Sequence, residues 1–349
     1  AYSVNPCMDI NPTTNQPGVV WTDRDTAGGD LEIFMRQSDG AAFQELALSG
    51  SAEGLSVNQT PSQFPDVAYD AAGRPVVAWQ DVDTAQGDAD IFVRRFDAGL
   101  WVELGGSATG SGVSANNSSS TGPSVEINPT VNPATGGEPG VAWVDFSLGD
   151  FEIFFREFDG ALWQQRANSG QNQGVSNNTG VSLQPSLTYD SLGRPVIAWA
   201  DNTSGNYEIY LRRFNPAIGP AGAWEELAGS GAGGGISQSP TQVSQNPSIQ
   251  IGAGDNPFVV WQENLPTGNV EIHGRSFNGV AWVDFGPGSA VNGGVSITPG
   301  RSITPELCLH PGFTDVFLCV WTDFSDPQGD AEIYGKWFDN GQWREIGTF

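Results

Sequence analysis

Apolar and polar residues alternate with a period of two in short runs along this chain, and the runs return about every 60 residues. One strand signal is apolar on both faces, as in Pro75-Val76-Val77-Ala78-Trp79, and predicts a strand covered on both sides. Its tryptophan recurs as Trp21, Trp79, Trp143, Trp199, Trp261 and Trp321, in steps of 58, 64, 56, 62 and 60 residues. Before it comes a strand led by a proline, with apolar residues two and four positions on: Met8 and Ile10, Val125 and Ile127, Ile249 and Ile251, Leu307 and Leu309. After it comes an acidic, Gly-containing loop, and then an acidic-Ile-aromatic strand such as Glu32-Ile33-Phe34 or Glu208-Ile209-Tyr210. Tight turns such as Asp159-Gly160 and Asn340-Gly341 close that strand against a fourth, which starts with Phe43, Trp101, Trp163, Trp224, Trp282 or Trp343.

These four signals, named A to D in order, occur six times. Long-period repetition of β-type residues predicts an all-β, six-bladed β-propeller of four-stranded antiparallel blades, with almost no helix. The blades fall at about 1–48, 49–106, 107–168, 169–229, 230–287 and 288–349, and the whole chain reads as a single domain. The D-to-A links share a Gly-apolar-Ser core, for example Gly54-Leu55-Ser56 and Gly112-Val113-Ser114, which predicts loops docked on the blades. The D–A and B–C loops then share one face, and that face is expected to carry function.

The formal charge of −26 argues against nucleic acid and anionic membrane as partners. No apolar run reaches the length of a membrane span. The three cysteines, Cys7, Cys308 and Cys319, are too few for a disulfide framework. Counting inward from the A–B turn sets Cys308 opposite Cys319, so a disulfide between them is expected, and with it an oxidising compartment.

Four patterns could carry chemistry. On strand C an acidic residue precedes a basic one by four, as in Glu32/Arg36 or Asp90/Arg94. The pattern recurs in every blade, and repeated ion pairs between blades explain it better than an anion site. The B–C loops gather Asp23, Asp25 and Asp30, then Asp81, Asp83 and Asp88, and in blade 6 Asp323, Asp326 and Asp330. Clustered carboxylates suit Ca2+, while the simpler reading is that they cap their own turns. Histidine occurs only at His273 and His310, and His273 fills an aromatic core slot. Among the aromatics, Phe146, Phe324 and Trp337 stand outside the repeat and are the ligand candidates. Paired carboxylates could cleave glycosides, although no pair stands out.

The repeats ending in Pro195-Val196-Ile197-Ala198-Trp199 and Glu208-Ile209-Tyr210-Leu211-Arg212 resemble the bacterial extracellular β-propeller repeat proteins along the whole chain. The resemblance implies a secreted, periplasmic or cell-surface protein. The expectation is a non-catalytic binding or structural module for a glycan or a surface protein, with a glycan-active hydrolase or lyase as the alternative.

Overall fold

The computed structural model describes residues 3–24, 30–51, 54–57, 60–82, 87–147, 149–310, 312–326 and 328–346. Those residues form strands and turns, with two single 3-10 turns at Pro133–Thr135 and Ala253–Asp255. The strands make six sheets of four, each antiparallel in the order A-B-C-D. Two compact units, Ala1–Asn177 and Asn178–Phe349, hold three blades each. In the first unit the A strands are Ser3–Asn11, Ser62–Tyr69 and Ser120–Asn128. In the second they are Ser182–Tyr189, Val243–Ile251 and Ser302–Leu309. Within each unit the A strands of successive blades touch.

Each A strand begins about three residues before its proline, earlier than the sequence pattern suggests. A bulge lies at the proline: in blade 2, Gln63 pairs with Gln80 and Asp66 with Ala78. The B strands run apolar into the tryptophan because both faces are covered there: in blade 2, Val76, Val77, Ala78 and Trp79 are all buried. Each B-strand tryptophan donates its indole N–H to the acidic residue two places on, as from Trp79 to Asp81 (3.2 Å) and from Trp261 to Glu263 (2.7 Å). An A-strand serine donates to the same carboxylate, Ser62 to Asp81 and Ser302 to Asp323, each at 2.8 Å. A buried charge is thereby held by donors, as burial requires.

The D–A loops are docked through their Gly-apolar-Ser core. Leu55 N–H donates to the Ile33 carbonyl (2.8 Å), and Ile33 N–H donates to Ser56 Oγ (3.0 Å). Ser56 Oγ in turn donates to Glu32, and Ser114 does the same to Asp90 (2.7 Å). Glycine is required here: a Cβ on Gly54, whose φ is +62°, would sit 2.1 Å from the Ile33 carbonyl oxygen. The strand-C base of the next blade closes the latch, Arg94 donating to the Leu55 carbonyl (2.6 Å) and Arg275 to that of Ile236 (2.7 Å). This corrects the expected ion pairs between blades: the strand-C acid accepts from a loop serine, and the strand-C base donates to a loop carbonyl.

The Cys308–Cys319 disulfide is also corrected. Asp190 N–H bonds the Arg194 carbonyl, so in blade 4 Leu187, not Thr188, faces Ile197. In blade 6 Leu307 likewise faces Cys319, and Cys308 faces Leu318. One residue of register turns a side chain to the other face: Cys319 is buried and Cys308 exposed, and none of the three cysteines forms a disulfide.

The first and last blades differ from the rest. Ile333, whose five counterparts are fully buried, is 74% exposed, and Met8 is 57% exposed. These outer blade faces have no neighbour within their own unit.

Candidate active site

The A strands are edge strands, with backbone N–H groups facing away from their own sheet. In both units these donors are met by a polar side chain from the preceding blade. Tyr69 N–H donates to Asp9 (2.7 Å), and Val125 N–H donates to Asp66 (2.8 Å). In the second unit the acceptors are serines: Ile249 N–H donates to Ser186 (3.2 Å) and Leu307 N–H to Ser248 (3.0 Å). A hydroxyl suffices for this structural task, so the aspartates of the first unit exceed what the fold needs.

They are joined by Glu126, which lies three residues after its proline, as Asp9 does. Asp9, Asp66 and Glu126 thus stand on three adjacent A strands, half-buried and near enough to repel one another. Their surroundings differ. Asp66 accepts from Val125 N–H, from Val67 N–H (2.9 Å) and from the Cys7 thiol (2.9 Å). Asp9 accepts one backbone donor on each oxygen, Tyr69 on one and Ile10 on the other, both at 2.7 Å. Among the described residues, Glu126 accepts from Ile127 N–H alone (2.8 Å). Burial raises all three carboxyls above the ordinary range. Glu126 is pushed up to about 8, by burial first and then by the charge of Asp9. The arrangement keeps a proton on Glu126 at neutral pH and places most of the hydrogen-bond donors on the other two carboxyls.

The residues singled out from sequence lie elsewhere. Asp25 and Asp83 lie outside the described residues. Asp23, Asp81 and Asp323 are the acceptors of the Trp-Asp-Ser sets. Asp326 accepts from Gln328 N–H (2.7 Å), and Asp30 and Asp88 are half-buried, while Asp330 is exposed. Among the described residues no three acidic, histidine or cysteine side chains gather as ligands for a metal ion. Phe146 packs against Phe151 with ring centres 4.9 Å apart. Phe324 lies 5.9 Å under the Arg301 guanidinium. Trp337 pairs across the sheet with Leu318, six residues before Phe324, so these two sit at opposite ends of blade 6. Trp337 shares a cleft with His310 and Phe313 on the outer face of that blade. His273 is buried beside Trp261, and burial pushes its pKa down to about 4, which keeps it neutral.

In the sequence, the carboxylate group is signalled only at positions that depart from the repeat. One residue after the proline the blades carry Cys7, Asp66, Ser124, Ser186, Ser248 and Glu306. Three residues after it they carry Asp9, Ala68, Glu126, Thr188, Gln250 and Cys308.

No family model and no curated protein matches this chain. Solved structures do. An α-L-arabinofuranosidase of Fusarium graminearum, bound to an iminosugar inhibitor, is similar over 96% of this chain and 92% of its own, with a TM-score of 0.56 at 9% identity. An α-L-arabinanase of Penicillium chrysogenum complexed with arabinobiose matches over 97% of this chain and 93% of its own, with a TM-score of 0.53 at 12% identity. A Dyadobacter fermentans protein of unknown function matches over 96% and 94%, with a TM-score of 0.55 at 12% identity. Identities this low speak for the fold, and the class is thereby set: an all-β propeller arrangement of six four-stranded blades. The expected non-catalytic binding or structural module is corrected on this point: the fold it was read from is shared, across nearly the whole chain, with glycan-cleaving enzymes.

Proposed function

We propose that this chain is a glycan-active hydrolase whose chemistry is carried by Asp9, Asp66 and Glu126. Glycoside cleavage uses one carboxyl that keeps its proton and one that has lost it. The observation that carries the reading is that difference, with Glu126 held up to about 8 beside two better hydrogen-bonded carboxylates. Glu126 is the general acid, giving its proton to the leaving-group oxygen. The charge of Asp9 does most, after burial, to keep the proton on Glu126, and Asp66, with three donors, adds to it. Asp9, with a single donor on each oxygen, keeps lone pairs free to act on the sugar as base for a water or as nucleophile. Arabinose-containing glycans come first for testing, because a similar fold binds arabinobiose.

The resemblance to bacterial extracellular repeat propellers, together with a polymeric substrate, favours a secreted, periplasmic or surface location. The test is release of reducing sugar from a panel of neutral glycans by the wild-type protein and by Glu126→Gln. Wild type should cleave at least one, and Glu126→Gln should lose about 10²- to 10⁴-fold in rate on it with its melting temperature kept. A wild type inert on every glycan, or a Glu126→Gln protein as active as wild type, refutes the reading.

A further inference from the structure

We infer that Phe64 is the aromatic platform on which a neutral sugar ring of the substrate rests beside Asp66, an inference built on the reading of the A-strand carboxylates given above. The residue before the A-strand proline takes a positive φ in every blade: Asn5 (50°), Phe64 (51°), Gly122 (59°), Gln184 (57°), Asn246 (51°) and Thr304 (49°). Glycine and asparagine reach this left-handed conformation at low cost, while a bulky aromatic rarely adopts it. Phe64 gains little from burial to offset the strain, since it is 43% exposed. The other five blades make the same bulge with no large apolar side chain at this position, so the fold does not ask for one. A strained residue that the fold does not require is a reasonable sign of function.

Its location says which function. Phe64 stands two residues before Asp66 on the A strand flanked by those bearing Asp9 and Glu126. It is the one aromatic among the six bulge residues. An exposed aromatic face takes the C–H face of a sugar, and neighbouring carboxylates take its hydroxyls. Asp66 two residues along, with Asp9 on the adjoining A strand, would repel an acidic sugar, so the ring is neutral.

The test is Phe64→Asn, the residue that blades 1 and 5 carry, with Phe64→Tyr as the conservative partner. Melting temperature, KM, kcat and binding of arabinobiose and longer arabino-oligosaccharides are measured on the whole chain. A platform predicts a melting temperature equal to or above wild type for Phe64→Asn, with KM and Kd raised about three- to tenfold. Phe64→Tyr should restore both constants. A lower melting temperature with KM and Kd unchanged makes Phe64 a packing residue and overturns the inference, leaving the hydrolase reading in place. Binding that Phe64→Asn weakens, in a protein that turns over no glycan, keeps the platform and removes the hydrolase reading. No binding and no turnover removes both.

Discussion

Glu126 carries the sharpest single-residue consequence. Burial and the charge of Asp9 raise its pKa from an ordinary 4.5 to about 8. Between those values the folded chain keeps a proton that the unfolded chain has released. Its contribution to stability is therefore complete below about 4.5 and disappears as pH rises towards 8. Asp9 and Asp66, also raised, act in the same direction. Melting curves of wild type and Glu126→Gln across pH 4–9 check this, because glutamine has no proton to lose. Wild type should fall away from the variant as pH rises through the window. A constant gap between the two curves would mean that Glu126 ionises as an ordinary glutamate. Cysteine chemistry gives a second check: the unreduced, denatured protein should titrate as three thiols, since register keeps Cys308 and Cys319 on opposite faces.

At the scale of the element, the D–A latch is where repeat and energetics meet. The Gly-apolar-Ser core was visible in the sequence, and so was the docking of its buried apolar residue, such as Leu55. Its acidic partner was visible too, but was matched to the wrong group. Strand periodicity says which face Glu32 and Arg36 share, and it says nothing about the loop that returns to meet them. The latch predicts that Ser56→Ala, which leaves the buried Glu32 without the hydroxyl it accepts from, costs about 1–3 kcal/mol. Urea unfolding measures it, and a change below the error of the fit would show the loop to be held by Leu55 alone. The Cys308 error has the same origin. A hairpin register depends on how the turn closes, here Asp190 onto Arg194, and one residue of slip reverses every face in the strand.

For the molecule as a whole, what repeats was legible and what departs from the repeat was not. Six tryptophans at regular steps gave blade number, strand order and strand type, because each blade solves the same packing problem in the same way. The candidate site had to be read against that background. Asp9, Asp66 and Glu126 look unremarkable in a chain with 40 acidic residues, and only the contact of A strands within one unit brings them together. The serines of the second unit then show that the aspartates are not there for the fold alone. The acidic B–C loops are dense in charge, yet Asp81 and Asp323 serve the tryptophans beside them.

The most direct test of the account compares two substrates across pH. One is a natural neutral glycan, whose leaving oxygen needs a proton. The other is an aryl glycoside of the same sugar with a strongly acidic phenol, whose leaving group needs none. In wild type, kcat/KM on the glycan should fall as pH rises through about 8, where Glu126 loses its proton. Glu126→Gln should be nearly inactive on the glycan, retain most of its rate on the aryl glycoside, and show no alkaline fall there. Equal losses on both substrates, or an alkaline limb that survives the substitution, would contradict the assignment of Glu126 as the acid and with it the claim that these A-strand carboxylates form the active site.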